Sequence, residues 1–202
     1  CLADVVEDQF KRIFTDLGIE RVSFLPARSG LEQVAIGANT MLLLAQPYLT
    51  ETAHMIEKRG ARRLIAPTPL GEQGTTAWRW AAAEAFGVDR AKFDAVVASG
   101  QARARRALEN YRSKLAGKRL FFFPDSQMEP ALARFMANET GAEIVEVGTP
   151  FLNKAIVAPE LAALPVDVTL AEGQDDEKQI DRCRAADPDL IICGMGLGNP
   201  FE

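Results

Sequence analysis

A single histidine, His54, and three scattered cysteines, Cys1, Cys183 and Cys193, are all that this 202-residue chain holds of the residue types that most often bind metals or act as nucleophiles. One imidazole excludes His-rich metal sites and argues against an imidazole-based triad. The cysteines form no CxxC pair and no disulfide framework, so no residue here is assigned a catalytic or metal-ligating role. Basic residues are in the minority, 23 Lys and Arg against 28 Asp and Glu, which leaves no overall attraction for nucleic acid or an anionic membrane. No apolar run approaches the ~20 residues of a membrane-spanning helix, and the first residues lack the basic-then-apolar pattern of a secretion leader. The expectation is a cytoplasmic protein without a transmembrane segment.

What is present is 48% hydrophobic, with 15 Gly and 11 Pro punctuating short apolar runs. Residues 4–7 resemble a capping box, and Val6, Phe10, Ile13, Phe14 and Leu17 follow at helical spacing, with Gly18 as the stop. Strands are expected at residues 22–25, 41–45 and 64–66, and helices over residues 50–59 and from about 76 to 86. The run 41–45 is apolar throughout, which suits a parallel strand covered on both faces. A long helical stretch, broken near Ser99 and Gly100, continues to Leu115. Residues 90–119 carry nine basic side chains against two acidic ones; with little aromatic interleaving, this reads as a solvated helix face rather than a nucleic-acid surface. After Gly117 the rhythm restarts, with strands at 119–123, 143–147, 168–170 and 190–193. Helices are expected between them, near 130–140, 159–164 and 175–185. Such alternation implies right-handed βαβ units. The fold class expected is α/β, two Rossmann-like parallel-sheet layers spanning residues 1–116 and 117–202.

Two loops invite a functional reading. The terminal run IICGMGLGNPFE has glycines at 194, 196 and 198, which fails the G-x-G-x-x-G spacing of a dinucleotide fingerprint and lacks the Gly-Lys-Ser/Thr of a phosphate loop. A strand-end loop leading to a helix beyond the sequence is the better expectation. The other loop is FPDSQMEP, residues 123–130. Ser126 and Glu129 fit a capping box; alternatively Glu129 is the N-cap with Pro130 at the first helical position. The second arrangement leaves Asp125 and Ser126 free at the carboxyl end of a parallel strand, where open α/β sheets bind ligands. By the same rule the loops at 46–48, 123–126, 148–151 and 198–200 should converge on one cleft. Asp125, beside Phe123 and Pro124, is the candidate acid if that setting desolvates it. Cys183, in the run Asp-Arg-Cys-Arg, is open to activation by its arginines, and Cys193 reads as a small core residue.

The stretches LADVVEDQF, PTPLGEQGTTAW, RLFFFPDSQMEPALARF, EIVEVGTPFLN, AEGQD and PDLIICGMGLGNPFE resemble the N-subunit family of the nitrogenase-like, light-independent protochlorophyllide reductases. The resemblance implies a nitrogenase component-1-like subunit of three Rossmann-like domains, of which residues 1–116 would be the second and 117–202 a truncated third. It implies a homologous B subunit, an ATP-hydrolysing iron–sulfur L protein, and reduction of the D-ring double bond of protochlorophyllide. It also implies a [4Fe–4S] cluster in the full complex, held by ligands outside this sequence, with ATP on the iron protein. The substrate-binding residues it suggests are Gln46, Pro47, Tyr48, Phe123, Pro124, Asp125, Ser126, Phe151, Asn199 and Pro200. It places the proton-donating aspartate on the B subunit, which would make Asp125 structural. A subunit of the related chlorophyllide reductase, or a non-catalytic α/β domain binding a small ligand, are the alternatives.

Overall fold

The computed structural model describes residues 4–27, 34–173 and 175–194. Helix α1 (Asp4–Asp16) leads to a first parallel pair, β1 (Met41–Leu42) and β2 (Arg62–Arg63), joined through α2 (Thr50–Glu57). Two helices follow, α3 (Gly71–Ala85) and α4 (Arg90–Leu115). The second sheet then builds from β3 (Arg119–Phe122), α5 (Glu129–Phe135), a π-helical turn (Met136–Thr140), β4 (Glu143–Thr149), α6 (Lys154–Ala163), β5 (Thr169–Glu172), α7 (Asp176–Ala186) and β6 (Leu190–Ile192). Its four strands are all parallel, in the order β5-β4-β3-β6. The fold is α/β with two parallel sheets.

Strand β3 shows why the second sheet forms. Alternate side chains of a strand point to opposite faces. Leu120 and Phe122 pack with Ala133, Ile144 and Val147, while Phe121 and Phe123 pack on the opposite face with Cys183. An apolar residue at every position is what a strand covered on both faces requires. The first half has its own core, in which Phe14, Leu17, Trp78, Ala83, Phe93 and Val97 meet. Trp78 stacks at 5.1 Å from Phe10 and 5.3 Å from Phe14, and its indole N–H donates to Leu44 O at 2.7 Å.

Several expected elements differ. Residues 22–25 form no strand, because none of the described residues offers that segment a ladder; Leu25 is 46% exposed. β1 ends at Leu42 rather than 45, since Leu44 O bonds to the Trp78 indole instead of a neighbouring strand. β2 lies just before the expected run 64–66, although Leu64 N still donates to Leu42 O at 2.8 Å. Helix α4 does not break at Gly100: an interior glycine costs only about 1 kcal/mol, and the Asp89 carboxylate caps the start by accepting from Ala91 N and Lys92 N. The basic second half of α4 stays exposed at Arg103, Arg106, Arg112 and Lys114. α6 begins at Lys154, ahead of the expected position, capped by Asn153 and carrying Pro159 inside it. Proline has no N–H for the carbonyl four residues back; Arg63 Nη1 serves Ala155 O in its place, at 3.3 Å.

Candidate functional site

The carboxyl ends of β1 and β2 open onto a shallow cleft between the first sheet and α6, whose enclosed space is only about 20 Å³. Leu44, Gln46, Pro47, Ile65 and Thr68 line one side, and Ile156 and Val157 of α6 the other. Pro47 is buried, Tyr48 beside it is 43% exposed, and Ile65 is 71% exposed. Arg63, also on the lining, is held by Glu57 Oε1 at 2.9 Å and by Ala155 O. The lining side chains are mostly aliphatic, but Gln46, Arg63 and Thr68 and the backbone give its open surface as much polar as apolar character.

A second group of loops gathers where the sheet reverses direction. β4 and β5 lie on one side of β3 and β6 on the other, so the crevice outside the ends of β3 and β6 is the topological switch point. Asp125 and Ser126 are exposed there. Glu129 Oε1 accepts from Asp125 N at 2.8 Å and from Ser126 N at 2.6 Å. Glu129 is the first residue of α5 rather than its N-cap, and its side chain reaches back as in a capping box. Both expected arrangements are thus half realised. Gly194, after β6, lies so close that a Cβ there would overlap the Asp125 carboxylate. Gly148, at the end of β4, approaches Pro124 and the Gln179 amide in the same way.

The loop after β4 touches both groups. Gly148 meets Pro124, and five residues on, Asn153 Nδ2 donates to Thr50 Oγ1 at 3.2 Å. Phe151, 52% exposed, and Tyr48 flank that bond along their own chains. The loop after β4 is thus in contact with the segment that holds Pro124 and with the start of α2, just after Gln46, Pro47 and Tyr48. Phe123 does not share their exposure: it is 2% exposed, its ring 5.2 Å from Phe121. Asp125 is exposed, so the desolvation expected from Phe123 and Pro124 is missing. Asn199 and Pro200 lie outside the described residues.

Residues 5–199 match the family of nitrogenase component 1 type oxidoreductases. The chain belongs to that family. It is 58% identical over 201 residues to light-independent protochlorophyllide reductase subunit N of Bradyrhizobium sp. (strain ORS 278), covering all of this chain and 47% of that protein. The subunits N of Rhodospirillum rubrum and Acidiphilium rubrum are 57% and 56% identical over the same 201 residues, of which 46% and 48% are covered. The chain spans about half the length of the curated relatives it matches. A solved nitrogenase Cp1 structure aligns with a TM-score of 0.58 over 91% of this chain and 45% of that one; at 19% identity this shows a shared component 1 fold.

A component 1 type oxidoreductase raises the question of metal ligands. Among the described residues no group of three or more His, Cys, Asp or Glu side chains is arranged to hold a metal ion. Cys193 is exposed and Cys183 is buried against Phe121 and Phe123. The activation expected for Cys183 is reversed. Burial pushes its thiol up, and the nearby Glu146 carboxylate pushes the same way; Arg182 donates to Glu146, at 2.8 Å. The described residues do not fit an iron–sulfur cluster.

Sequence reasoning missed the charges beneath the site. Arg134, Glu139, Glu146 and Glu160 are all 5% exposed or less. Glu139, in the π-helical turn, accepts from Glu72 N at 2.6 Å and Gln73 N at 3.1 Å, satisfying N–H groups that the first turn of α3 leaves free. Burial holds its carboxyl above the ordinary glutamate range, against the opposite pull of those N–H groups and of Arg134. The available signal was a charged residue among small apolar neighbours, as in ALARF. Helical periodicity does not single out such a residue as buried.

Proposed function

We propose that this chain is part of the N subunit of a light-independent protochlorophyllide reductase, acting in (bacterio)chlorophyll biosynthesis. The observation that carries the reading is 58% identity to such a subunit along the whole of this chain. Residues 1–116 are taken as the second domain of the subunit and 117–202 as its third, a division supported by the change of sheet across α4. In this reading the subunit works in a complex with a homologous B subunit and an ATP-hydrolysing L protein. The ligands of the [4Fe–4S] cluster lie outside this sequence, and ATP is bound by the L protein. The reaction adds two electrons and two protons across the D-ring double bond. This chain contributes the edge that receives the macrocycle: Gln46, Pro47, Tyr48 and Phe151 as walls, Pro124, Asp125 and Ser126 as the switch-point loop, Phe123 packed behind it, and Asn199 and Pro200 following β6. No helix among the described residues is long and apolar enough to cross a membrane.

The test is anaerobic turnover by the full-length subunit with its B and L partners, supplied with ATP, reductant and protochlorophyllide. Appearance of chlorophyllide absorbance is the expected result. Reduction of chlorophyllide instead would assign the related reductase, and tight small-ligand binding without turnover would assign a non-catalytic domain.

A further inference from the structure

One wall of the cleft is held from behind by an ion pair that belongs to the other half of the chain. Thr68 lines the cleft and sits between Pro67 and Pro69. Prolines have no N–H, so the Thr68 N–H is the single backbone donor of that run of three. It donates to Glu160 Oε1 at 2.5 Å. The other Glu160 oxygen accepts from Arg134 Nε. Arg134 Nη2 in turn donates to Thr68 O at 3.2 Å and to Leu70 O at 3.1 Å. Both backbone polar groups of Thr68 thus meet one buried pair, whose side chains are 4% and 2% exposed, and Thr68 O accepts from Leu70 N at 2.7 Å as well. Glu160 shares α6 with Ile156 and Val157, the facing wall of the cleft.

Three features suit this pair to holding geometry rather than supplying stability. A buried ion pair gains little net stability, because desolvating two charges offsets their attraction. Arg134 Nη1 is buried with no hydrogen-bond partner, lying 4.0 Å from Glu139 Oε1, so the guanidinium is not arranged for its own best satisfaction. The neighbouring glycine makes room for it: a Cβ at Gly74 would overlap the Arg134 guanidinium.

We infer that Arg134 and Glu160 are positioning residues for the ligand of the cleft: by gripping the N–H and C=O of Thr68 they fix the spacing between the Ile65–Thr68 wall and the α6 wall. The inference rests on the reading that this cleft receives part of protochlorophyllide, and it predicts an effect on substrate affinity that is separable from stability.

The experiment uses the full-length subunit in its complex, with Glu160→Leu, Arg134→Met and the double variant. Protochlorophyllide binding is titrated anaerobically without ATP, and the thermal midpoint is measured in parallel. Each single variant should bind roughly tenfold more weakly or worse, since small misplacements of a site carry losses of that order. Each should also melt lower. The double variant leaves Glu139 without its cation but still held by Glu72 N and Gln73 N, so its midpoint should recover part of the way towards wild type, while its affinity stays low because neither side chain reaches Thr68. The double variant carries the test if a single variant does not fold. Unchanged affinity in any folded variant, or affinity that recovers together with the midpoint, overturns the inference. Failure of the wild-type complex to bind protochlorophyllide overturns the substrate reading, and this assignment with it.

Discussion

In the second sheet Leu120, Phe121 and Phe122 are all 0% exposed, whereas in the first Met41 and Leu42 are only half-buried and Ile65, just past β2, is 71% exposed. The runs RLFFF and MLLLA look alike as strings of apolar letters, but they are used differently. Both faces of β3 go into cores built by α5 and α7. In the first sheet Leu43 and Ala45 pack against the Trp78 core, Leu44, Gln46 and Ile65 border the cleft, and Leu64 and Ala66 do both. A strand that is apolar throughout is therefore no proof of double burial. One face can serve a core while the other stays partly open.

The largest expected effect breaks or upholds that contrast directly. Phe122→Ala removes a fully buried ring and should cost about 3–5 kcal/mol, whereas Ile65→Ala should stay within about 0.5 kcal/mol. Urea unfolding of both variants measures this, and equal losses would contradict the difference between the sheets. A smaller effect probes the seam between the halves. Gly71 has φ +73, and a Cβ there would overlap Glu139 and Phe135; Gly87 has φ +69 with nothing within 4 Å. Gly87→Ala should cost about 1 kcal/mol for the left-handed backbone alone. Gly71→Ala should exceed it by at least about 1 kcal/mol through overlap. Matching unfolding midpoints for the two variants would mean that the seam yields freely.

The smallest effect is one of pH. Burial raises the Glu139 carboxyl in the folded state. The stability it contributes is therefore complete below the ordinary glutamate value of about 4.3, and it is lost as pH rises through the raised folded value. Wild type should lose stability over that rising limb relative to Glu139→Gln. Unfolding midpoints taken in steps upward from about pH 4 check the sign, and parallel curves for the two proteins would refute it.

Much of the fold could be read from local chemistry. Pro130 and Glu129 marked the start of α5, Gly117 the restart of the strand–helix rhythm, and RLFFF the buried strand, because each is set by its own neighbours. The residues that failed to declare themselves depend on distant partners. The trimming of β1 follows from the Trp78 indole, 34 residues away. The early start of α6 tolerates Pro159 because Arg63 donates to the Ala155 carbonyl that the proline orphans. Cys183 was read from the adjacent arginines, yet its surroundings are Phe121, Phe123 and Glu146, brought by other strands. At the site, the strand-end rule singled out the loops around Gln46, Asp125 and Phe151. The bond from Thr68 N to Glu160 of the buried ion pair joins residues 92 positions apart in sequence, and no local pattern carries that information.

The placement of β6 beside β3 has a consequence for how the chain is made. Strand β3 pairs with β4 on one edge, but its other edge waits for residues 190–192, roughly seventy positions further along. At a synthesis rate of about 5–20 residues per second, that edge leaves the ribosome several seconds before its partner. During this interval an apolar strand is half-paired, the condition in which nascent sheets are most open to association with other chains. Asp189, the residue before β6, fastens that edge: its carboxylate accepts from Arg119 N at 2.8 Å and from Lys118 Nζ at 2.7 Å. Vectorial synthesis thus makes the last described strand the latch on the first strand of its sheet.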